Sequence, residues 1–182
     1  MGLAPWAIDK SWTLFLDRDG VINQRIFGGY VLSSESFIFE KGVLSAMKMA
    51  NQCFGKIIVV TNQQCVALGL LSESALAKIH QDMLTQVETH GGRIDEVYAA
   101  IDLKTASPNR RKPNSVMALE AKLKYPELDF SKCLMVGDTD SDIRFGKRLG
   151  MKTVLVESKE ETQEVPDLTV KSLMDLMNKL CV

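Results

Sequence analysis

The sequence predicts an α/β protein, a doubly wound three-layer sandwich around a mostly parallel central sheet. Three observations lead there. Apolar runs such as Thr13-Leu14-Phe15-Leu16 and Ile57-Ile58-Val59-Val60 lack polar alternation, as expected of strands covered on both faces. Amphipathic helical stretches separate these runs through short connections. Several runs also stop on small or charged polar residues, at the end of the strand where open parallel sheets bind ligands.

The first strand ends on Asp17 and Asp19. Carboxylates this close repel each other and raise one another's pKa unless a cation lies between them, and a hard divalent ion, Mg2+, is the simplest resolution. Val21 to Lys41, with Gly28-Gly29-Tyr30, reads as a long loop beside this site with room for a small hairpin. Gly42 to Phe54 places Val43, Leu44, Met47 and Ala50 on one helical face, with Gly55 as its stop. Lys56 to Val60 is a second buried strand, finishing at Thr61-Asn62-Gln63. Ser72 is a good N-cap for a helix to about His90, whose apolar face is Leu76, Ile79, Met83 and Val87.

Glu96 to Ile101 forms a weaker third strand. A loop from Asp102 to Arg111 leads to a helix from about Asn114 to Lys124, ending before Pro126. Cys133 to Val136 is a fourth strand, ending at Gly137-Asp138. A helix from about Ser141 to Leu149, a fifth strand Thr153 to Val156, a short edge strand Leu168 to Val170 and a terminal helix Ser172 to Leu180 complete the pattern.

The 182 residues suit one domain spanning 1–182, with the apolar and charged fractions of an ordinary globule. A net charge of -1 supplies no general field for a polyanion, and Arg110-Arg111-Lys112 is the one compact basic patch, so no nucleic-acid partner is expected. Residues 1–10 lack the basic and apolar pattern of a leader, and no stretch spans a bilayer. The expectation is a cytoplasmic protein without a membrane partner, a monomer or small homo-oligomer. Cys53, Cys65, Cys133 and Cys181 are scattered and read as buried free thiols. His80 and His90 fall away from every polar strand end and read as structural or exposed.

Four polar groups recur at strand ends or helix starts: Asp17-x-Asp19-Gly20, Thr61-Asn62-Gln63, Lys112-Pro113, and Gly137-Asp138-Thr139-Asp140-Ser141-Asp142. Each alone has an ordinary explanation: a loop entry, a strand-ending turn, a solvated lysine before a helix-starting proline, acidic residues at a helix N-terminus. In this order they resemble the haloacid dehalogenase (HAD) superfamily of phosphohydrolases, over Leu14 to Asp142. That resemblance implies the Rossmann-like HAD fold and an aspartyl-phosphate mechanism.

Phosphate monoesters are shielded by their own charge, so catalysis consists of neutralising phosphoryl oxygens and aligning nucleophile and leaving group. The resemblance makes Asp17 the nucleophile. Asp19 is then the acid for the leaving oxygen and the base for water. Gly20 lets the backbone turn away beside the phosphate. The Thr61 hydroxyl and the amides of Asn62 and Gln63 are expected to hold phosphoryl oxygens, with Lys112 as the positive charge beside Asp17. Mg2+ ligands would be Asp17, the Asp19 carbonyl and Asp138, with Asp142 orienting a metal-bound water; Asp140 is the alternative second carboxylate.

Neither the Gly20–Gly42 nor the Ile101–Lys112 connection has space for the cap domain of larger members. Asp17-Arg18-Asp19-Gly20, Gly29-Tyr30-Val31, Thr61-Asn62-Gln63 and Arg111-Lys112-Pro113 are similar to the capless branch holding heptose 1,7-bisphosphate and histidinol-phosphate phosphatases. That branch usually carries zinc in the loop before the lysine, but residues 98–112 contain neither Cys nor His, so no zinc is expected. The same loop shapes the pocket, which leaves the substrate open among a sugar phosphate or bisphosphate, histidinol phosphate and a 3'-phosphorylated nucleic-acid end. Asn23, Tyr30, Asn62, Gln63, Arg110 and Arg111 are the residues expected to line the leaving-group pocket for a small phosphorylated metabolite, with the two arginines equally readable as solvated. A non-enzymatic phosphate-responsive module stays in view. A receiver domain would instead accept phosphate after a later strand, where this chain has Thr61.

Overall fold

The computed structural model describes residues 6–181; residues 1–5, part of the stretch read above for a leader, lie outside them. Six parallel strands form the sheet: β1 (Thr13–Leu16), β2 (Lys56–Asn62), β3 (Glu96–Ala100), β4 (Cys133–Gly137), β5 (Lys152–Val156) and β6 (Leu168–Val170). Their order is β3-β2-β1-β4-β5-β6. Helices α1 (Val43–Cys53), α2 (Glu73–Thr89), α3 (Val116–Lys124), α4 (Asp140–Arg148) and α5 (Leu173–Leu180) cover it.

Strand alternation divides the core into two layers. Leu14, Leu16, Ile57, Val59, Leu134 and Val136 face Met47 of α1, Met83 of α2 and Leu176 of α5. Phe15, Ile58, Val60 and Met135 face the other way, against Met117 and Ala121 of α3 and Phe145 of α4. Every residue of β1 and β4 is buried, which is why both read as continuous apolar runs. β3 lies at a sheet edge and is mostly half-buried, the physical reason for its weaker signal.

The chain builds outward from β1 in both directions, so the switch point lies between β1 and β4. Leu16 pairs with Val136, and the Asp17 amide donates to the Val136 carbonyl at 2.9 Å. This register sets Asp17 beside Asp138. Among the described residues, neither the connection from Gly20 to Gly42 nor that from Ile101 to Ser115 contains a helix or ladder strand, so no cap covers this edge.

The expected free state of the cysteines is corrected for two of them. Cys53, at the end of α1, and Cys181, after α5, form a disulfide across 128 residues of sequence. Their Cα atoms are 6.1 Å apart because α1 and α5 pack side by side, a proximity that sequence spacing does not reveal. Cys65 and Cys133 are free and buried.

Candidate active site

Asp17 leaves β1 into a tight turn in which the Arg18 carbonyl accepts from the amides of Ile22 and Asn23 at 2.8 and 3.1 Å. Gly20 completes the turn with φ +91°, and a Cβ there would overlap the Asp138 carboxylate, so glycine is required on both grounds. Gly137 is equally constrained, since its missing Cβ leaves the space taken by Asp142.

Lys112 is the centre of charge. Its side chain is almost fully buried, with Nζ 2.9 Å from Asp17 Oδ1 and 2.6 Å from Asp142 Oδ1. It also donates to the Val60 carbonyl at 2.7 Å. Asn62 fixes this loop by a reciprocal pair, its Oδ1 accepting from the Lys112 amide at 2.9 Å and its Nδ2 donating to the Lys112 carbonyl at 3.2 Å. Burial disfavours the charged lysine, but the two carboxylates outweigh it and hold its pKa above the ordinary value.

Asp19 receives donors only. Arg18 Nη2 forks to both of its oxygens at 3.0 Å, Asn23 Nδ2 donates at 2.9 Å and Gln63 Nε2 at 2.7 Å. Burial pushes its pKa up, but Arg18 and these hydrogen bonds overcome that and hold it below the usual carboxylate range. Arg18 is itself fully buried, and its Nη1 donates to His80 Nε2 at 3.1 Å. His80, expected to lie apart from the motifs, is therefore part of the support behind Asp19. Burial and Arg18 push it down to about 4, so it stays neutral and can accept that bond.

Asp17 is raised to about 7, first by burial and then by the neighbouring Asp142 and Asp138 charges. Asp138 is raised to about 6, chiefly by burial. One oxygen from each of Asp17, Asp138 and Asp142 lies within 4.8 Å of the others. The Asp142 oxygens are engaged by Lys112 and by the Thr139 hydroxyl at 2.7 Å. Asp140, the alternative, stands outside this cluster, its Oδ1 accepting from the Gln163 and Glu164 amides at 3.0 Å.

A residue without a sequence signal completes the cluster. Arg25, in the loop after the first motif, forks onto Asp138: Nε donates to Oδ2 at 2.8 Å and Nη2 to Oδ1 at 2.7 Å. The same Nη2 lies 3.1 Å from the Asp19 carbonyl and 3.8 Å from Asp17 Oδ2. Thus the Asp17 carboxylate, the Asp19 carbonyl and the Asp138 carboxylate converge on one point already taken by a cation. All three are hard oxygen donors, so the set fits Mg2+.

Asp17, Asp19, Arg25 and Lys112 line a cleft of about 670 Å3 that also takes in Tyr30, Thr61, Asn62, Gln63, Lys104 and Arg111. Two expected pocket residues do not line it. Asn23 is wholly buried beneath Asp19, serving that carboxylate instead. Arg110 is tied to Glu120, with Nε to Oε1 at 3.0 Å. The expected anion-binding role of the Gln63 amide is also corrected, because that N–H donates to the Ala100 carbonyl at 2.7 Å.

The raised carboxyls give a pH prediction. Both folded pKa values exceed the ordinary 3.8, so in the metal-free protein these groups favour the fold at low pH, and that contribution is lost as pH rises through about 6 and about 7. Mg2+ affinity moves the opposite way, rising with pH as both carboxyls ionise. Calorimetric titration in buffers of different ionisation enthalpy should show proton release near pH 6 and almost none above pH 8; pH-independent affinity would contradict the assignment.

An Asp-x-Asp strand end closed by a buried lysine and a second acidic strand end is the arrangement of HAD-like hydrolases, and the HAD-hydrolase-like family model matches residues 109–176. The chain is 30% identical over 175 residues to a D-glycero-β-D-manno-heptose-1,7-bisphosphate 7-phosphatase of Rhodopseudomonas palustris, covering 92% of this chain and 93% of that one. It is 36% identical over 154 residues to a D-glycero-α-D-manno-heptose-1,7-bisphosphate 7-phosphatase of Burkholderia mallei, covering 81% and 80%. In fold it is similar to the D,D-heptose 1,7-bisphosphate phosphatase of B. bronchiseptica solved with magnesium and phosphate, with TM-score 0.84, 24% identity, and 92% and 97% coverage. The chain belongs to the haloacid dehalogenase superfamily of phosphohydrolases.

Proposed function

We propose that this phosphatase hydrolyses a small sugar bisphosphate of the heptose 1,7-bisphosphate type, with Asp17 as the nucleophile. The observation that carries the reading is the position of Asp17, ionically paired with Lys112 at the floor of a cleft whose outer wall holds Lys104 and Arg111. One phosphate would be transferred at the floor while the outer cations hold the other. The two relatives above are named for opposite anomers, so both anomers belong in the test.

Lys112 favours the ionised form of Asp17 against burial and its acidic neighbours and offsets charge on the phosphoryl group, while the Thr61 hydroxyl donates to a phosphoryl oxygen. An Asp17 oxygen attacks phosphorus as the bond to the leaving oxygen breaks. Asp19, protonated from solvent as the phosphoryl dianion binds beside it, passes that proton to the leaving oxygen. Water then attacks phosphorus, Asp19 takes its proton, inorganic phosphate departs and Asp17 is regenerated. Arg18, Asn23 and Gln63 hold the Asp19 carboxylate in position for both transfers. Asp17, the Asp19 carbonyl and Asp138 would hold Mg2+, which supplies further neutralisation of the phosphoryl oxygens.

The test is a phosphate-release screen with Mg2+ on both heptose 1,7-bisphosphate anomers, monophosphates of the same sugar, histidinol phosphate and a 3'-phosphorylated oligonucleotide. A sugar bisphosphate should give the highest kcat/KM, by about tenfold or more over the monophosphate, because charge-assisted pairing of the second phosphate is lost in the latter. Preference for histidinol phosphate or the oligonucleotide would overturn the substrate reading.

A further inference from the structure

We propose that Arg25 is a built-in occupant of the divalent-cation seat, which must vacate it before the metal binds. The inference rests on the reading that Asp17, the Asp19 carbonyl and Asp138 hold that metal. Its basis is geometric: one guanidinium nitrogen of Arg25 lies among all three donors, and a second nitrogen closes the fork on Asp138. A metal ion and Nη2 cannot share that point.

Charge points the same way. With all three carboxyls ionised, Asp17, Asp138 and Asp142 are paired among the described residues with Lys112 and Arg25, so the cluster carries one net negative charge. Exchanging the guanidinium for a divalent ion brings that balance to zero, whereas holding both would leave an excess positive charge among buried groups. Asp19 does not alter the balance, because Arg18 neutralises it.

The chain also leaves Arg25 a way out. The backbone before it is pinned, with the Gln24 amide donating to the Ile38 carbonyl at 2.8 Å and Asn23 Nδ2 donating to the Gln24 carbonyl at 3.0 Å. The side chain itself is a quarter exposed and lines the open cleft. Rotation about side-chain bonds alone is therefore enough to clear the seat, without moving the turn that carries Asp17 and Asp19. After exchange the guanidinium becomes a free cation at the wall of the substrate cleft.

Two measurements test this without turnover. Mn2+ binding, followed by the loss of the free-ion electron paramagnetic resonance signal, should be at least about tenfold tighter for Arg25→Gln than for wild type, with Arg25→Lys between them. In the wild type, phenylglyoxal labelling of Arg25, mapped by peptide mass spectrometry, should be slow without metal and accelerate on saturation with Mn2+. Equal or weaker Mn2+ binding by Arg25→Gln, or labelling that Mn2+ leaves unchanged, would overturn the exchange. Absence of Mn2+ binding by either protein would instead remove the metal seat itself. The labelling arm uses only the wild type, so it stands even where the variant does not fold.

Discussion

Asp17→Asn is expected to lower kcat/KM for a phosphate monoester by about 10^4-fold or more, the scale of losing a nucleophile, while leaving the protein at least as stable as before. The amide retains the shape but lacks the charge and nucleophilicity of the carboxylate. Lys112 keeps its partner Asp142, so no buried cation is orphaned. Asp17 sits almost wholly buried with a pKa pushed to about 7 by that burial and by its acidic neighbours, so removing its charge relieves repulsion. An unchanged or higher melting temperature in metal-free buffer, together with lost turnover, is the expected pair of results. A residual rate within tenfold of wild type would move the nucleophile elsewhere.

Lys112→Met should be harmful on both counts. The variant leaves Asp17 and Asp142 facing each other without the cation now 2.9 and 2.6 Å away, and it strips the Val60 carbonyl of its donor. Breaking one side of a buried ion pair costs about 3–5 kcal/mol. Because protonation of Asp17 relieves part of the uncompensated charge, the loss should be larger at pH 8 than at pH 5 in urea unfolding. Turnover should fall by about 10^3-fold, since the same lysine neutralises the transferring group. A loss of stability identical at both pH values would show that packing, and not charge, is what Lys112 contributes.

The sheet was legible because its central strands are buried on both faces: Leu14 to Leu16 and Cys133 to Val136 could not be read otherwise. The motif residues were legible because Asp17 and Asp138 follow strand ends, Thr61 lies near the end of β2 and Lys112 precedes α3, in a fixed order. What escaped were pairings between distant segments. Arg25 reaches Asp138 across 113 residues, and nothing about an arginine in a mixed loop marks it as a partner of a strand end. Asn23 and Arg110 looked like pocket residues by proximity in sequence, yet a tight turn buries the first and Glu120 captures the second. The resemblance gave the Gln63 amide to phosphate, but β2 runs on to Asn62 and the next amide still bonds to the β3 end.

In the proposed reaction Asp17 carries the phosphoryl group and Asp19 moves the protons. Asp19→Asn with p-nitrophenyl phosphate and Mg2+ separates these roles, because this leaving group departs without a proton donor while hydrolysis of the intermediate still needs a base. A burst of about one equivalent of p-nitrophenolate per enzyme is expected, then slow turnover, with a hydroxylamine-labile phosphoryl group mapped to Asp17 after acid quench. Turnover without a burst, or a phosphoryl group on any other residue, would contradict these roles.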